Sequence, residues 1–195
     1  MSAELRELLR AHPLTIAPTL LGARLTHAGV SVRITEVEAY GGVGEDPGSH
    51  AFRGPTRRNQ VMFGEVAHLY VYFTYGMHWC ANVVAHEDEQ AGAILLRAGE
   101  VLAGHELARR GRDLPHHRLA SGPARLATAL GLTGVQDGLN LVGLFEVTST
   151  PSAWMSTPRT GVSGSGAGQP WRFHLPDEPT VSPYRPARTA KRAPD

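Results

Sequence analysis

A mixed α/β (α+β) fold is what this sequence predicts: one domain on a curved antiparallel β-sheet, with a protruding β-hairpin and peripheral helices. Three observations predict it. The 195 residues, 42% of them hydrophobic, suffice for one domain with a sizeable core and would be cramped as two. The runs Arg33-Ile-Thr-Glu-Val-Glu-Ala-Tyr40 and Leu69-Tyr-Val-Tyr-Phe-Thr-Tyr-Gly76 read with the two-residue period of strands. Short turn-forming connections at Gly29 and Gly76-Met77 join neighbouring strand runs, as antiparallel pairs require. The domain is expected over residues 1–182, followed by a flexible, basic, Pro-rich tail at 183–195.

Taken in order, Met1 to Arg10 reads as an amphipathic helix with Leu5, Leu8 and Leu9 on one side. A short helix is expected from Ile16 to Leu21, stopped by Gly22. Strands follow at Ala23 to Ala28 and Val30 to Tyr40, with Gly29 at the turn. Gly41 to Gly54 is a loop rich in Gly, Asp and Pro that carries His50 and leads into Pro55 to Phe63. His68 to Thr74 and His78 to Val84 form a hairpin in which Gly76, at the first central position, suits a two-residue type II′ turn. Ala93 to Ala98 is a third apolar strand of the meander. Glu100 to Arg110 reads as a helix ended by Gly111. Ser121-Gly-Pro opens another, with Ser121 as cap and proline in the first turn, running to near Gly131. Leu144 to Thr150 and Trp171 to Leu175 complete the strands, on either side of the loop Gly161 to Gly168.

Composition excludes several classes. No run approaches the roughly 20 apolar residues of a membrane span, and the N-terminus lacks the apolar core and cleavage site of a signal peptide. A single cysteine, Cys80, rules out an internal disulfide and a multi-cysteine zinc site; a cytosolic protein is expected. The net charge of +1 argues weakly against nucleic acid, but arginines cluster at Arg53, Arg57 and Arg58, at Arg109, Arg110 and Arg112, and in the tail. Eighteen arginines stand against one lysine, Lys191 in the tail. Schiff-base chemistry therefore has no lysine in the body of the fold.

Common catalytic patterns are missing. Ten histidines invite zinc, yet no His-Glu-x-x-His occurs. The glycines from Gly161 to Gly168 match neither dinucleotide nor P-loop spacing, and Ser163 and Ser165 lack a nucleophile elbow. More informative are Glu36, Glu38 and Tyr40, on one face of a strand, and Tyr70 and Tyr72, sharing a face of another. An isolated Glu-x-Glu reads as a solvent-facing strand edge, and Tyr70 and Tyr72 as core aromatics. Tyr40 on the carboxylate face and the polar loop that follows favour a pocket that stacks a flat molecule and activates a water beside it. Tyr75, at a hairpin tip with little to pack against, favours a partner surface. Arg97 is either the polar end of a buried strand or a charge directed into a site.

The ordered set Glu36-Val-Glu-Ala-Tyr40, His50, Arg58-Asn-x-x-Met-Phe63, Tyr70-Val-Tyr-x-x-Tyr-Gly-Met77, Cys80-x-Asn82, Leu95-Leu-Arg97 and Ser121-Gly-Pro123 resembles the alkyladenine (3-methyladenine) DNA glycosylase family, of the type first defined in mammals. The resemblance runs from about Leu20 to about Phe173. It departs from the mammalian pattern at His78-Trp79, at Arg57 and at Arg125.

That resemblance implies monofunctional hydrolysis of the N-glycosidic bond of an alkylated or deaminated purine (3-methyladenine, 7-methylguanine, hypoxanthine, ethenoadenine) flipped out of damaged double-stranded DNA. It also implies a bacterial nucleoid location, a monomer, and no metal or organic cofactor. By the same analogy Glu38 is the general base for a water held also by Arg97 and the main chain of Thr160. Tyr40, His50 and Tyr72 stack the base, Asn82 clashes with the exocyclic amine of guanine, and Tyr75 wedges into the minor groove. Arg53, Arg57, Arg58 and Arg125 contact phosphates, and Glu36 gives support or faces solvent. The alternatives are a nucleic-acid-binding module without chemistry and an enzyme acting on free nucleosides.

Overall fold

The computed structural model describes residues 2–148 and 151–187. Eight strands form one antiparallel sheet: β1 (Arg24–His27), β2 (Val30–Tyr40), β3 (Leu69–Thr74), β4 (His78–Val84), β5 (Ala93–Ala103), β6 (Phe145–Glu146), β7 (Met155–Thr157) and β8 (Arg172–His174). The order is β3-β4-β5-β2-β1-β6, with β8 also pairing with β2, and β7 with β8. Among the described residues four short α-helices flank it: α1 (Ser2–Leu9), α2 (Pro13–Ile16), α3 (His105–Arg109) and α4 (Pro123–Leu130). The α+β reading of the sequence is thus the fold observed.

Strand β2 organises the molecule. Val30, Val32 and Ile34 are buried while Ser31 and Arg33 are half-buried, the alternation of a strand with one covered face. From Ile34 to Ala39 every residue is buried, because both edges are paired: β5 runs along one side, and β8 takes over from β1 on the other. The β2–β5 ladder carries three irregularities, two of which compensate each other. Ile34 pairs with Gly99, Glu36 with Ala98 and Val37 with Leu96, which leaves Thr35 and Arg97 as the extra residues. Bulges of this kind re-aim side chains beside functional sites. Here they bring Arg97 and the two glutamates onto common ground.

The main core lies where α4 meets β4 and β5. Leu126, Ala127, Ala129 and Leu130 of α4 are buried against Ile94, Leu96 and Val83, among others; each leucine so buried contributes roughly 1.5–3 kcal/mol. Leu5 and Leu9 of α1 join this core, as their helical spacing predicts, whereas Leu8, expected on the same side, is half-buried. A smaller cluster of Ala51, Met62, Tyr70, Val84, Ala91 and Ala93, with Tyr72 packed against it, supports a cavity described below.

Several elements differ from the sequence reading. The helix expected at Glu100 to Arg110 starts late, its first four residues continuing β5. Glu100, Val101 and Ala103 pair with Arg33, Val32 and Ser31 of β2, and Arg33 Nε donates to Glu100 at 2.9 Å across the ladder. Local helix propensity yields to that pairing, and only His105–Arg109 is helical. Ser121 does not cap α4; it is drawn into a bridge with Ala98, and Gly122 stands before the helix instead. The helix expected at Ile16 to Leu21 is α2 followed by a tighter 3₁₀ turn at Ala17–Leu20, since Pro18 cannot donate a backbone hydrogen bond. The strand expected at Leu144 to Thr150 is the two residues of β6, and residues 149 and 150 lie outside the described ones.

The hairpin turn is also different. Thr74 pairs with His78, and Met77 N–H donates to the Thr74 carbonyl at 3.2 Å, so Tyr75 and Gly76 are the central residues, with φ of 51° and 66°. Positive φ at both positions is the type I′ pattern, not II′. Glycine adopts it freely; a tyrosine does so against steric resistance. Of the expected tail, residues 188–195 lie outside the described residues, while the Arg185 carbonyl accepts a bond from Gly161 N–H at 3.0 Å.

Candidate active site

Glu38 is completely buried, a place where a carboxylate persists only with partners. It has three. Thr160 N–H donates to Oε1 at 2.6 Å, and the Tyr40 hydroxyl to Oε2 at 2.8 Å. Arg97 Nη1 stands 3.2 Å from Oε2. Tyr40, Arg97 and Thr160 themselves line a cavity of about 450 Å³, so the carboxylate sits directly behind the wall they form. Burial opposes the charge of Arg97, but Glu38 and Glu36 outweigh it and raise its pKa. Burial also pushes the Tyr40 phenol well above its usual range, and the Glu38 charge adds to the effect. Tyr40 is therefore a lasting proton donor.

The solvent-facing alternative for Glu36 is overturned. Glu36 is wholly buried. Its Oε1 accepts from Arg97 Nε at 2.7 Å, Arg172 Nε at 2.6 Å and Ser182 Oγ at 2.9 Å; Oε2 accepts from Ser182 N–H at 2.7 Å. Burial alone would raise its pKa, yet the charges of Arg97 and Arg172 hold the carboxyl below the usual value.

The cavity walls are aromatic. Tyr40, His50, Tyr70, Tyr72 and Asn82 all line it. His50 meets Tyr72 edge-on at 4.6 Å between ring centroids, and Tyr70 stacks on Tyr72 at 5.5 Å. The Tyr70 hydroxyl lies 2.9 Å from His50 Nδ1, so Tyr70, read from sequence as a strand aromatic, fixes the orientation of His50. Burial pushes the Tyr70 phenol up to about 12. Although one side of His50 is open to solvent, desolvation by the wall and the nearby Arg58 charge lower its pKa, which favours the neutral ring at pH 7. Asn82 donates from Nδ2 to the Tyr70 carbonyl at 3.0 Å, which leaves its Oδ1 as an acceptor for the cavity.

Behind Tyr40 stands a device that sequence reasoning missed. Arg159, 1% exposed, packs its guanidinium 4.6 Å from the Tyr40 ring centroid and 4.9 Å from that of Trp171. Asp46 holds it through two bonds of 2.5 and 2.7 Å. Gly48 lets the loop come this close, because a Cβ there would lie 2.8 Å from Arg159 Nη2. Asp46 and Gly48 belong to the Gly- and Pro-rich loop, and Arg159 precedes Thr160. No periodicity or motif marks these three as neighbours.

Tyr75 is 83% exposed at the hairpin tip and also lines the cavity mouth. Arg58 is exposed beside it, donating to the Phe73 carbonyl at 2.8 Å, with its guanidinium 5.8 Å from the Tyr72 ring. Arg53 and Arg58 line a second hollow, which shares His50 and Tyr70 with the first. Arg57 is exposed on the same loop. Arg125 stands apart from these three, half-buried on α4 next to Pro123 and Ala124 of the cavity rim. Burial, and secondarily the Arg125 charge, lowers the pKa of Arg112.

A covered carboxylate–guanidinium pair at the back of an aromatic cavity, with an exposed ring and arginines at its mouth, has the shape and charge to admit a flat group from an anionic partner and to move a proton beside it. The chain belongs to the methylpurine-DNA glycosylase (MPG) family, whose model matches residues 7–179. It is 52% identical to a protein of Leifsonia xyli subsp. xyli over 92% of both chains. Identity to a protein of Streptomyces avermitilis is 49%, over 96% of this chain and 93% of the relative. For one of Cutibacterium acnes it is 44%, over 89% and 96%. All three relatives are provisionally named 3-methyladenine DNA glycosylase.

Proposed function

We propose that this protein removes alkylated or deaminated purines from duplex DNA by hydrolysing their N-glycosidic bond, after the damaged nucleotide has rotated out of the helix. The observation that carries this reading is the placement of Glu38. A carboxylate offers about four acceptor positions, and three are taken by Thr160 N–H, the Tyr40 hydroxyl and Arg97. The fourth, on Oε1 beside Thr160, is where a water would be held and deprotonated, with the main chain of Thr160 alongside. Enclosed away from bulk water, the same negative charge stabilises positive charge growing on the sugar as the base departs.

The purine would stack among Tyr40, His50 and Tyr72. A neutral His50 suits a cationic alkylated base, which stacks better on aromatic faces and leaves the sugar more readily. Asn82 would exclude guanine by a steric clash with its exocyclic amine. With no lysine among the described residues, water is the nucleophile, and strand cleavage should not follow. Arg53, Arg57, Arg58 and Arg125 would hold phosphates without reading sequence. A DNA-binding module without chemistry has no use for a buried Glu38–Arg97 pair, and an enzyme for free nucleosides has none for an exposed Tyr75.

Duplex oligonucleotides carrying hypoxanthine, 1,N6-ethenoadenine or 3-methyladenine test the proposal. Release of at least one base is expected, and release of none overturns it. Tyr75 should fill the gap left by the rotated nucleotide, which accounts for a tyrosine held at φ 51°, where backbone strain marks function. Base–aromatic stacking is worth about 1–3 kcal/mol, so Tyr75→Ser should lower the rate at subsaturating DNA by roughly 5- to 100-fold with the melting temperature unchanged. An undiminished rate would remove Tyr75 from the mechanism.

A further inference from the structure

Glu36 is as thoroughly buried as Glu38 and more heavily bonded, yet hydrolysis as proposed above uses only one carboxylate. The geometry around Arg97 shows what the second one does. A guanidinium beside a lone carboxylate closes into two parallel hydrogen bonds. Arg97 does not do this with Glu38. Its Nε is committed to Glu36 at 2.7 Å and its Nη2 to Ser182 Oγ at 3.3 Å, so that Nη1 alone reaches Glu38, at 3.2 Å.

Glu36 can keep hold of Arg97 because it is itself clamped. Arg172 Nε, Ser182 Oγ and Ser182 N–H all donate to it, and Arg172 Nη2 ties the Ser182 carbonyl at 2.9 Å. Two carboxylates and two guanidinium groups balance in charge, so the cluster stays ionised without solvent. The bulge that leaves Arg97 out of the β2–β5 pairing gives its side chain the freedom to face both acids.

We propose that Glu36, with Ser182, is a positioning residue that holds Arg97 to a single contact with Glu38, so that the reacting carboxylate keeps an acceptor position for water instead of being consumed in a two-point ion pair. Released from Glu36, Arg97 would turn its second nitrogen onto Glu38 and displace the water. This inference rests on the hydrolytic reading of the site. It also makes the chain around Ser182, more than 140 residues from Glu36, a working part of that site.

The test is Glu36→Gln and Ser182→Ala in the full chain, with three measurements on each: single-turnover base release, the Kd for lesion duplex, and the 15N–1H resonance of Arg97 Nε. Misplacing a reacting group by an ångström costs about 100-fold. Base release by Glu36→Gln should therefore fall roughly 10- to 100-fold, with Kd within about twofold of the parent. The Nε resonance should shift or broaden. Ser182→Ala, which keeps its backbone donor to Glu36, should show a smaller loss of the same kind, and it carries the test if Glu36→Gln fails to fold. An unchanged rate in a folded variant overturns the proposal. So does a fall in rate matched by an equal loss of affinity, which would mean a general structural role. Should the parent release no base at all, the hydrolytic reading fails. The Nε resonance still decides separately whether Glu36 fixes Arg97: an unmoved signal in Glu36→Gln refutes it.

Discussion

Glu38→Gln is expected to bind lesion-containing duplex as well as the parent while releasing base roughly 100- to 10,000-fold more slowly, the range that general-base groups contribute. The amide oxygen of glutamine can still accept from Thr160 N–H, which donates to Oε1 at 2.6 Å in the parent, so the wall of the cavity keeps its shape. What disappears is the basic oxygen that takes a proton from water and the negative charge that offsets the developing charge on the sugar. Neither loss touches His50 or Tyr72, which would hold the base; the Tyr40 hydroxyl and Arg97, which face Oε2 in the parent, would meet the amide nitrogen instead. A binding isotherm and a single-turnover time course on the same duplex separate the two effects. If the variant retains the parent rate, the general base lies elsewhere; if affinity collapses as well, Glu38 is a structural anchor of the pocket. The contacts of Glu38 with Arg97 and Tyr40 limit the choice of substitution. Alanine would leave buried donors without an acceptor and confuse the two outcomes.

Strand alternation placed Glu36, Glu38 and Tyr40 on one face, and the contacts of Arg97 with both glutamates and of Tyr40 with Glu38 bear this out. Turn glycines and apolar runs located every strand except β7 (Met155–Thr157) and most of the helices, because local sterics and burial decide those features. Legibility ended wherever distant segments decide the outcome. Glu100 to Ala103 are strand only because β2 supplies their partners. Glu36 is buried only because Arg172 and Ser182 arrive from the far end of the chain. Arg159 carries no local pattern at all. An arginine before a flexible stretch reads as surface until Asp46 is known to face it. The bulge at Arg97 could not be read either, since its register depends on the pairing of two strands some sixty residues apart.

Arg159→Met should lower stability by about 3–5 kcal/mol, the cost of breaking a buried ion pair from one side. For a chain of this size each kcal/mol moves the melting temperature by roughly 2–4 °C, so a fall of about 6–20 °C is expected by calorimetry. Methionine fills much of the same space between Tyr40 and Trp171. The loss therefore reports on Asp46, left wholly buried with only the backbone N–H groups of Gly41 and Gly48, at 3.2 and 2.9 Å, to stabilise its charge. Asp46→Asn should be costly for the reciprocal reason. Burial opposes the charge of Arg159, and its bonds to Asp46 are what keep its pKa raised. The double variant Arg159→Met/Asp46→Asn should recover much of the deficit, because no unpaired charge remains and the amide oxygen can still accept from one of the two glycines, which bond separate oxygens in the parent. Strictly additive losses would mean that the two side chains act independently. Lesion affinity gives a second readout. With the guanidinium gone, the Tyr40 ring loses the rigid plate 4.6 Å behind it. A melting temperature restored in the double variant without restored affinity would then show that Arg159 steadies the stacking face as well as the fold.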